Sequence, residues 1–273
     1  MRKLLLAAAV CIAIGYALPA SGAVEKCPFG KTVVLGDSIA SGYGLADYVS
    51  GDNYSAPLSF GNLLADECGE YKNFAVDGRT SAQLLDALSH PAGEMADALA
   101  EADTVIISIG GNDFLQPMIS AVKTAALTDS ELLGAILGGE FKLESLSGYG
   151  DRILQSALSE AEKVDVDQTV ENLSQIVEKI TRANPDAEII LFTVYNPFAG
   201  SVLLNAASEV AEERLAVLND GIRSLAGENV RIADVYAAFK GHEHEFTNIY
   251  KLDIHPSAEG HYAIYKLLSR TLH

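Results

Sequence analysis

The sequence predicts an α/β fold of three layers, in which a parallel central sheet of about five strands lies between two layers of helices. Short apolar runs rich in β-branched residues alternate along the chain with longer segments whose apolar residues recur at helical spacing. The clearest of the short runs, residues 103–109, is almost continuously apolar, which is typical of a central parallel strand that is buried on both faces. Because strands and helices alternate, the helices are expected to cover both faces of one sheet.

Five segments carry the strand pattern. The run from Asp103 to Ile109 is the clearest, since it is almost continuously apolar and ends at two glycines. The predicted strands cover residues 31–36, 71–76, 103–109, 188–194 and 229–235.

The helices are predicted from apolar spacing and from end signals. In segment 166–183 the apolar residues fall on one helical face, and Asn184-Pro185 ends the helix. Another helix follows a cap at Thr80 or Ser81. The remaining predicted helices cover about 58–68, 91–101, 203–226 and 257–271.

Residues 114–165 interrupt this alternation. The segment is far longer than a usual connection, and glycine-rich breaks divide its apolar residues into two or three short predicted helices. It is either a helical cap over a binding site or an ordinary helical excursion that packs on the sheet.

The N-terminus has the pattern of a secretory signal peptide over residues 1–23. Arg2 and Lys3 precede an apolar run from Leu4 to Leu18 that is too short to span a bilayer, and small residues follow up to Ala23. We expect cleavage near Ala23, which leaves one domain over residues 24–273 without a stable membrane anchor. The protein is then secreted, to the cell envelope or beyond. An uncleaved membrane anchor is the alternative.

The chain is strongly acidic, with a formal net charge of −18 at pH 7. Loss of the leader would leave 17 Lys and Arg residues against 37 acidic residues. Such a surface repels nucleic-acid phosphates and anionic membranes, so the charge speaks against nucleic acid as a partner. It identifies no substrate, and the sequence indicates no oligomeric state.

Two cysteines, Cys27 and Cys68, would remain after the leader is removed. A crossover helix runs back along the sheet, so the end of the first helix at Cys68 is expected near the start of the first strand, which Cys27 precedes. In an oxidising compartment the two thiols are expected to form a disulfide that stabilises the fold by about 4 kcal/mol in the chain-entropy model. Two free thiols are the alternative.

The turn Gly36-Asp37-Ser38 carries the candidate nucleophile. Its serine lies at the carboxyl end of a predicted strand, where open α/β sheets bind ligands. Near the C-terminus, His255 stands on a short segment before Pro256, and Asp253 precedes it by two residues. A histidine held in this way can take a proton from Ser38 while Asp253 orients its ring.

Four blocks in chain order resemble the GDSL or SGNH hydrolase superfamily of lipases and esterases, and they span nearly the whole chain after the leader. The blocks are Gly36-Asp37-Ser38-Ile39, Asn73-Phe74-Ala75-Val76-Asp77-Gly78-Arg79-Thr80-Ser81, Gly110-Gly111-Asn112-Asp113 and Asp253-Ile254-His255-Pro256. The resemblance implies a flavodoxin-like sheet and a serine hydrolase that needs no metal and no cofactor.

The resemblance also implies an oxyanion hole made by the backbone N–H groups of Ser38 and Gly78 and the side-chain amide of Asn112. Such donors stabilise the charged oxygen of a tetrahedral intermediate. The chain departs from the family at one point, because family members often carry the acid three residues before the histidine, where this chain has Leu252. Asp253 is the predicted acid, and the carbonyl group of Leu252 is the alternative.

Other polar residues are predicted to have structural roles. Asp37 and Asp113 are expected to form local turns and hydrogen bonds. His261 is expected to pack on the last helix. The run Gly241-His242-Glu243-His244-Glu245 lacks the His-Glu-x-x-His spacing of a metal site and is predicted to be a solvated loop.

The predicted function is a secreted serine hydrolase that cleaves carboxylic esters through an acyl-enzyme on Ser38. The apolar residues of segment 114–165 favour a small-molecule or lipid ester with an acyl chain, such as a lysophospholipid or a short- to medium-chain ester. The alternatives are an O-acetylesterase that acts on polysaccharide, an acyltransferase with the same residues, and a non-catalytic binding protein on this scaffold.

Overall fold

The computed structural model describes most of the chain after the predicted leader. The described residues are 29–68, 70–117, 120, 155, 159–160, 162–199, 205–251 and 253–271. The predicted signal peptide, Cys27 and most of segment 114–165 lie outside them, so the signal peptide, the disulfide and the helical cap are still predictions.

Five strands form one sheet, and every neighbouring pair is parallel. The strands are β1 (Thr32–Gly36), β2 (Tyr71–Asn73), β3 (Thr104–Ser108), β4 (Glu188–Phe192) and β5 (Val230–Ala233). Their order across the sheet is β2-β1-β3-β4-β5, which is the flavodoxin-like order. The predicted fold class is confirmed.

Helices connect these strands and cover both faces of the sheet. They are α1 (Ser38–Ser41), α2 (Phe60–Cys68), α3 (Ser81–Ser89), α4 (Gly93–Glu101), α5 (Val166–Ala183), α6 (Asn205–Ser224), α7 (Val235–Phe239), α8 (Glu243–Phe246) and α9 (Ala258–Thr271). Residues 111–117 are also helical, and Ile249–Lys251 form a short 3-10 helix. Among the described helices, none combines the length and the apolar character needed to cross a membrane.

Successive residues of the strands contribute to two separate cores. Val33 and Val105 pack with residues of α3, α4, α5 and α6, whereas Val34 and Ile106 pack with residues of α2, α7 and α9. All four side chains are buried. Burial on both faces explains why these strands are apolar throughout.

The strand β2 is shorter than the predicted segment 71–76. Its last residue, Asn73, is buried, donates from its side chain to the carbonyl group of Ala40 at 2.8 Å, and accepts the N–H of Ala75 at 3.0 Å. These bonds turn the chain out of the sheet. The N–H of Val76 still donates to the carbonyl group of Gly36 at 3.0 Å, so the segment that leads to Gly78 stays beside the end of β1.

The start of α3 is tied to the segment after β3. Thr80 is the cap, since its side chain accepts the N–H of Gln83 while the Gln83 side chain accepts the N–H of Thr80. Ser81 instead donates its N–H and its hydroxyl group to the two carboxylate oxygens of Asp113, at 2.8 and 2.6 Å. The second and third sequence blocks therefore lie side by side at the carboxyl edge of the sheet.

Candidate active site

Ser38 is the first residue of α1, directly after β1. The approach of β1 to β3 requires Gly36, because a Cβ at that position would lie 2.5 Å from the carbonyl oxygen of Ser108. Asp37 caps α1 by accepting the N–H of Ile39 at 3.0 Å, and Gly42 ends this four-residue helix with a φ of 82°. The two turns hold Ser38 at the carboxyl edge of the sheet.

His255 lies between the short 3-10 helix and α9 on a segment that is fixed from two sides. Its carbonyl group accepts the N–H of Asn248 at 2.9 Å. The preceding carbonyl group, of Ile254, accepts the hydroxyl group of the buried Tyr195 at 2.6 Å. The backbone at the histidine is therefore anchored both locally and to the end of β4.

Asp253 contacts His255 twice through one oxygen atom. Its Oδ1 lies 2.6 Å from the ring Nδ1 of His255 and accepts the backbone N–H of His255 at 3.1 Å. The spacing of two residues thus forms an Asx-type turn that brings the carboxylate to the ring. Leu252, whose carbonyl group is the alternative orienting group, lies outside the described residues.

Ser38 and His255 are in hydrogen-bond contact although 217 residues separate them in the sequence. The distance from Ser38 Oγ to His255 Nε2 is 2.9 Å. When Nδ1–H donates to Asp253, Nε2 carries a lone pair that can accept the Ser38 proton. This arrangement can convert a serine hydroxyl group into a nucleophile.

The predicted oxyanion donors follow β1, β2 and β3. Gly78 has a φ of 72°, and its carbonyl group accepts the Gln116 side chain at 2.5 Å. Asn112 donates from Nδ2 to the carbonyl group of Arg79 at 3.0 Å and to Asp37 Oδ2 at 3.3 Å. Asn112 therefore bridges the segments that follow β1 and β2.

A pocket beside Ser38 combines polar groups with apolar walls. Ser38, Asn112 and His255 all line it. Its apolar lining comes from Ile39, Leu115, Val194, Pro197 and Ile254. A few convergent polar groups within an apolar concave surface are typical of a small-molecule site.

One buried and one half-buried carboxyl group, those of Asp37 and Asp113, flank the site. Asp37 is only 2% exposed, and burial raises its pKa to about 7, although the hydrogen bond from the Ile39 N–H acts in the opposite direction. Burial also raises the pKa of Asp113, which the two hydrogen bonds from Ser81 partly offset. Asp37 forms the local turn that the sequence predicts, whereas Asp113 accepts its hydrogen bonds from Ser81, which is 32 residues away in the sequence.

Two residues without a predicted role, Tyr43 and Tyr195, contact the histidine segment. The ring of Tyr43 packs beside the ring of His255 with 4.5 Å between the centroids. Tyr43 follows Ser38 by only five residues, and this short separation in the sequence is a signal that could have placed it near the candidate nucleophile. No sequence rule links Tyr195 to a carbonyl group 59 residues further along the chain.

His261 is fully buried and packs α9 against α2. Its Nδ1 accepts the N–H of Phe60 at 3.3 Å, and burial, with a smaller contribution from His255, lowers its pKa to about 3. A neutral imidazole at this position agrees with the predicted packing role.

The acidic and histidine-rich run at residues 241–245 is a turn followed by the short helix α8. His242 stacks on Phe246, and His244 stacks on Tyr250. Across the described ranges, no group of three or more His, Cys, Asp or Glu side chains is placed to hold a metal ion.

Comparison with known proteins shows relatives that match over most of the chain. The spore germination lipase LipC of Bacillus licheniformis is 23% identical over 235 residues, which are 84% of this chain and 90% of that protein. The crystal structure of an extracellular lipase from Streptomyces rimosus superposes with a TM-score of 0.61 at 21% identity, covering 89% of this chain and 99% of that one. The crystal structure of a phospholipase A1 from Streptomyces albidoflavus NA297 superposes with a TM-score of 0.58 at 21% identity, covering 89% of this chain and 99% of that one.

The sequence model of one family covers all four blocks. The GDSL-like lipase/acylhydrolase family matches residues 34–263, which contain Ser38, Gly78, Asn112 and His255. The structural neighbours share the fold, and the family match extends over most of the sequence. The chain belongs to the GDSL-like lipase/acylhydrolase family and is a carboxylic ester hydrolase.

Proposed function

We propose that this protein is a secreted serine esterase in which Ser38 is the nucleophile, His255 the base and Asp253 the group that orients it. The single observation that carries this proposal is the unbroken hydrogen-bonded line from Asp253 Oδ1 through His255 to Ser38 Oγ, with distances of 2.6 and 2.9 Å. Asp253 takes precedence over the Leu252 carbonyl group because it makes the Nδ1 contact.

In the acylation step, Ser38 Oγ attacks the ester carbonyl carbon and its proton passes to His255 Nε2. The carbonyl π electrons move to the oxygen, and the C–O bond to the alcohol then breaks while Nε2 returns the proton to the leaving oxygen. In the deacylation step, water gives a proton to Nε2 while its oxygen attacks the acyl carbon. The bond from that carbon to Ser38 Oγ then breaks, Nε2 returns the proton to Oγ, and the acid leaves. Asp253 stabilises the imidazolium ion at both stages.

The charged carbonyl oxygen is held by the N–H groups of Ser38 and Gly78 and by Asn112. Both hydrogens of the Asn112 amide are already engaged, by Arg79 and by Asp37. The bond to Asp37 is the longer one at 3.3 Å, so this hydrogen is the one that turns towards the oxyanion. Removal of one such donor typically lowers turnover about 100- to 1,000-fold.

The substrate is an ester with an apolar acyl group. Five apolar side chains line the pocket beside Ser38, and relatives of this chain carry the names lipase and phospholipase A1. Both observations support a lipid, lysophospholipid or short- to medium-chain ester. Export through the predicted signal peptide would place the enzyme in the cell envelope or outside the cell, and the N-terminal sequence of the mature protein tests this part.

The function is tested with p-nitrophenyl esters from acetate to palmitate and with a fluorophosphonate that labels activated serines. We expect hydrolysis and labelling by the parent protein and neither by Ser38→Ala, whose circular dichroism should match the parent. Hydrolysis by Ser38→Ala would contradict the proposal. A steep preference for acetate would instead assign the enzyme to polysaccharide deacetylation.

A further inference from the structure

Tyr43 is an aromatic side chain placed directly beside the proposed base. Its ring centroid is 4.5 Å from that of His255, with 42° between the planes, and 5.2 Å from that of Tyr48. Although it packs on two rings, Tyr43 is 42% exposed. Part of a large aromatic side chain therefore remains open to solvent next to the imidazole ring of His255.

The surrounding backbone fixes the position of Tyr43. Its N–H donates to the carbonyl group of Ser38 at 3.0 Å. The next residue, Gly44, has a φ of 86° and passes so close to Asp253 that a Cβ would lie 2.9 Å from Oδ2. Tyr48 packs on the other side and donates its hydroxyl group to Asp77. The backbone at Tyr43 and Gly44 thus lies against Ser38 and Asp253, and the ring itself packs on His255 and Tyr48.

The elements that position the pocket with apolar walls and the ring of Tyr43 lie on opposite sides of β1. The pocket with apolar walls is lined by Leu115, which follows β3, and by Val194 and Pro197, which follow β4. Tyr43 is joined through Tyr48 to the segment after β2. In the order β2-β1-β3-β4-β5, β2 lies on one side of β1, whereas β3 and β4 lie on the other. An ester bound at Ser38 can therefore extend its acyl and alcohol parts in opposite directions.

We propose that Tyr43 is a specificity-determining residue that contacts the alcohol part of the ester and favours alcohols with an aromatic ring. His255 Nε2 gives its proton to the leaving oxygen, so the leaving group lies beside the histidine, where the exposed part of Tyr43 is found. An aromatic ring attracts another aromatic ring in offset or edge-to-face geometry beyond the effect of buried area. The apolar pocket on the other side then takes the acyl chain. This inference rests on the proposed function.

The test compares benzyl butyrate with cyclohexylmethyl butyrate. The two esters share an acyl group and have rings of similar size, but only the benzyl ring is aromatic. We expect the parent enzyme to have the higher kcat/KM for the benzyl ester. In Tyr43→Leu the ratio of the two kcat/KM values should fall about two- to tenfold, whereas Tyr43→Phe should keep the parent ratio. An equal ratio in the parent and Tyr43→Leu would overturn the assignment.

Inhibition of the parent enzyme gives a second measurement that needs no variant. Benzyl alcohol should compete with a p-nitrophenyl ester at lower concentration than cyclohexylmethanol, although the latter is the more apolar compound. The reverse order would also overturn the assignment. A parent protein that neither hydrolyses esters nor reacts with a fluorophosphonate would instead show that the proposed function is wrong.

Discussion

The carboxyl group of Asp37 makes the stability of this fold depend on pH in a direction opposite to that of most native carboxylates. In the folded protein burial raises its pKa from the ordinary value of 3.8 to about 7. Between these two values the folded protein holds a proton that the unfolded chain has released. The free energy of unfolding therefore falls as the pH rises through this range. A pKa change of this size corresponds to about 4 kcal/mol.

The variant Asp37→Asn removes the ionisable group with little change in size. Its amide oxygen can still accept the N–H of Ile39, but its NH₂ group faces Nδ2 of Asn112, which is also a donor. This mismatch costs about 1–3 kcal/mol at every pH. The free energy of unfolding of Asp37→Asn, measured relative to that of the parent, should therefore rise by up to about 4 kcal/mol from pH 4 to pH 8. This rise does not depend on how stable the variant is at pH 4 or at pH 8.

The measurement is urea unfolding followed by circular dichroism at several values between pH 4 and pH 8. The quantity of interest is the difference in the free energy of unfolding between Asp37→Asn and the parent. Asp86→Asn, at an exposed position of α3, is the matched control, and its difference should stay constant. If the difference for Asp37→Asn is equally constant, the reasoning from burial is wrong.

Three further changes test the site. Asp253→Asn should lower kcat at least about a hundredfold because His255 loses its orienting acceptor, and a turnover within about threefold of the parent would return that role to another group. Asn112→Ala should lower kcat about 100- to 1,000-fold while fluorophosphonate labelling of Ser38 is retained; an unchanged kcat would remove Asn112 from the oxyanion hole. Tyr195→Phe removes the hydrogen bond to the half-buried Ile254 carbonyl group and should cost about 0.5–1.5 kcal/mol in urea unfolding. A stability equal to that of the parent would show that the bond does not fix the histidine segment.

The fold was predictable because parallel strands buried on both faces leave a continuous signal in the sequence. The helix α5 was predicted at residues 166–183 and is found at Val166–Ala183, because five turns of amphipathic spacing define its ends. The helices α1, α7 and α8 were not predicted. They have only four or five residues, which is too short to show a helical period.

The candidate site was predictable where its residues stand at strand ends. Ser38, Gly78 and Asn112 follow three neighbouring strands of a sheet whose order could be inferred, so their proximity follows from topology. The contacts of Asn112 with Asp37 and of Tyr195 with Ile254 connect residues 75 and 59 positions apart. Such contacts depend on how helices and loops pack, and no local pattern encodes them.

The Asx-type turn at Asp253 shows how a local contact can favour one of two candidates that the spacing leaves open. The sequence left the acid between Asp253 and the Leu252 carbonyl group. Asp253 Oδ1 contacts both the backbone N–H and the ring Nδ1 of His255, although only two positions separate the residues in the sequence. A search for a fixed spacing of three residues therefore misses this arrangement.

The separation of 217 residues between Ser38 and His255 also determines when their contact can form. A growing chain that folds from its N-terminus presents Ser38 long before His255 has been synthesised. Fragments that end before this point, whether from interrupted synthesis or from proteolysis, carry Ser38 as an ordinary hydroxyl group. The contact between Ser38 and His255 thus forms only within chains that extend at least as far as His255.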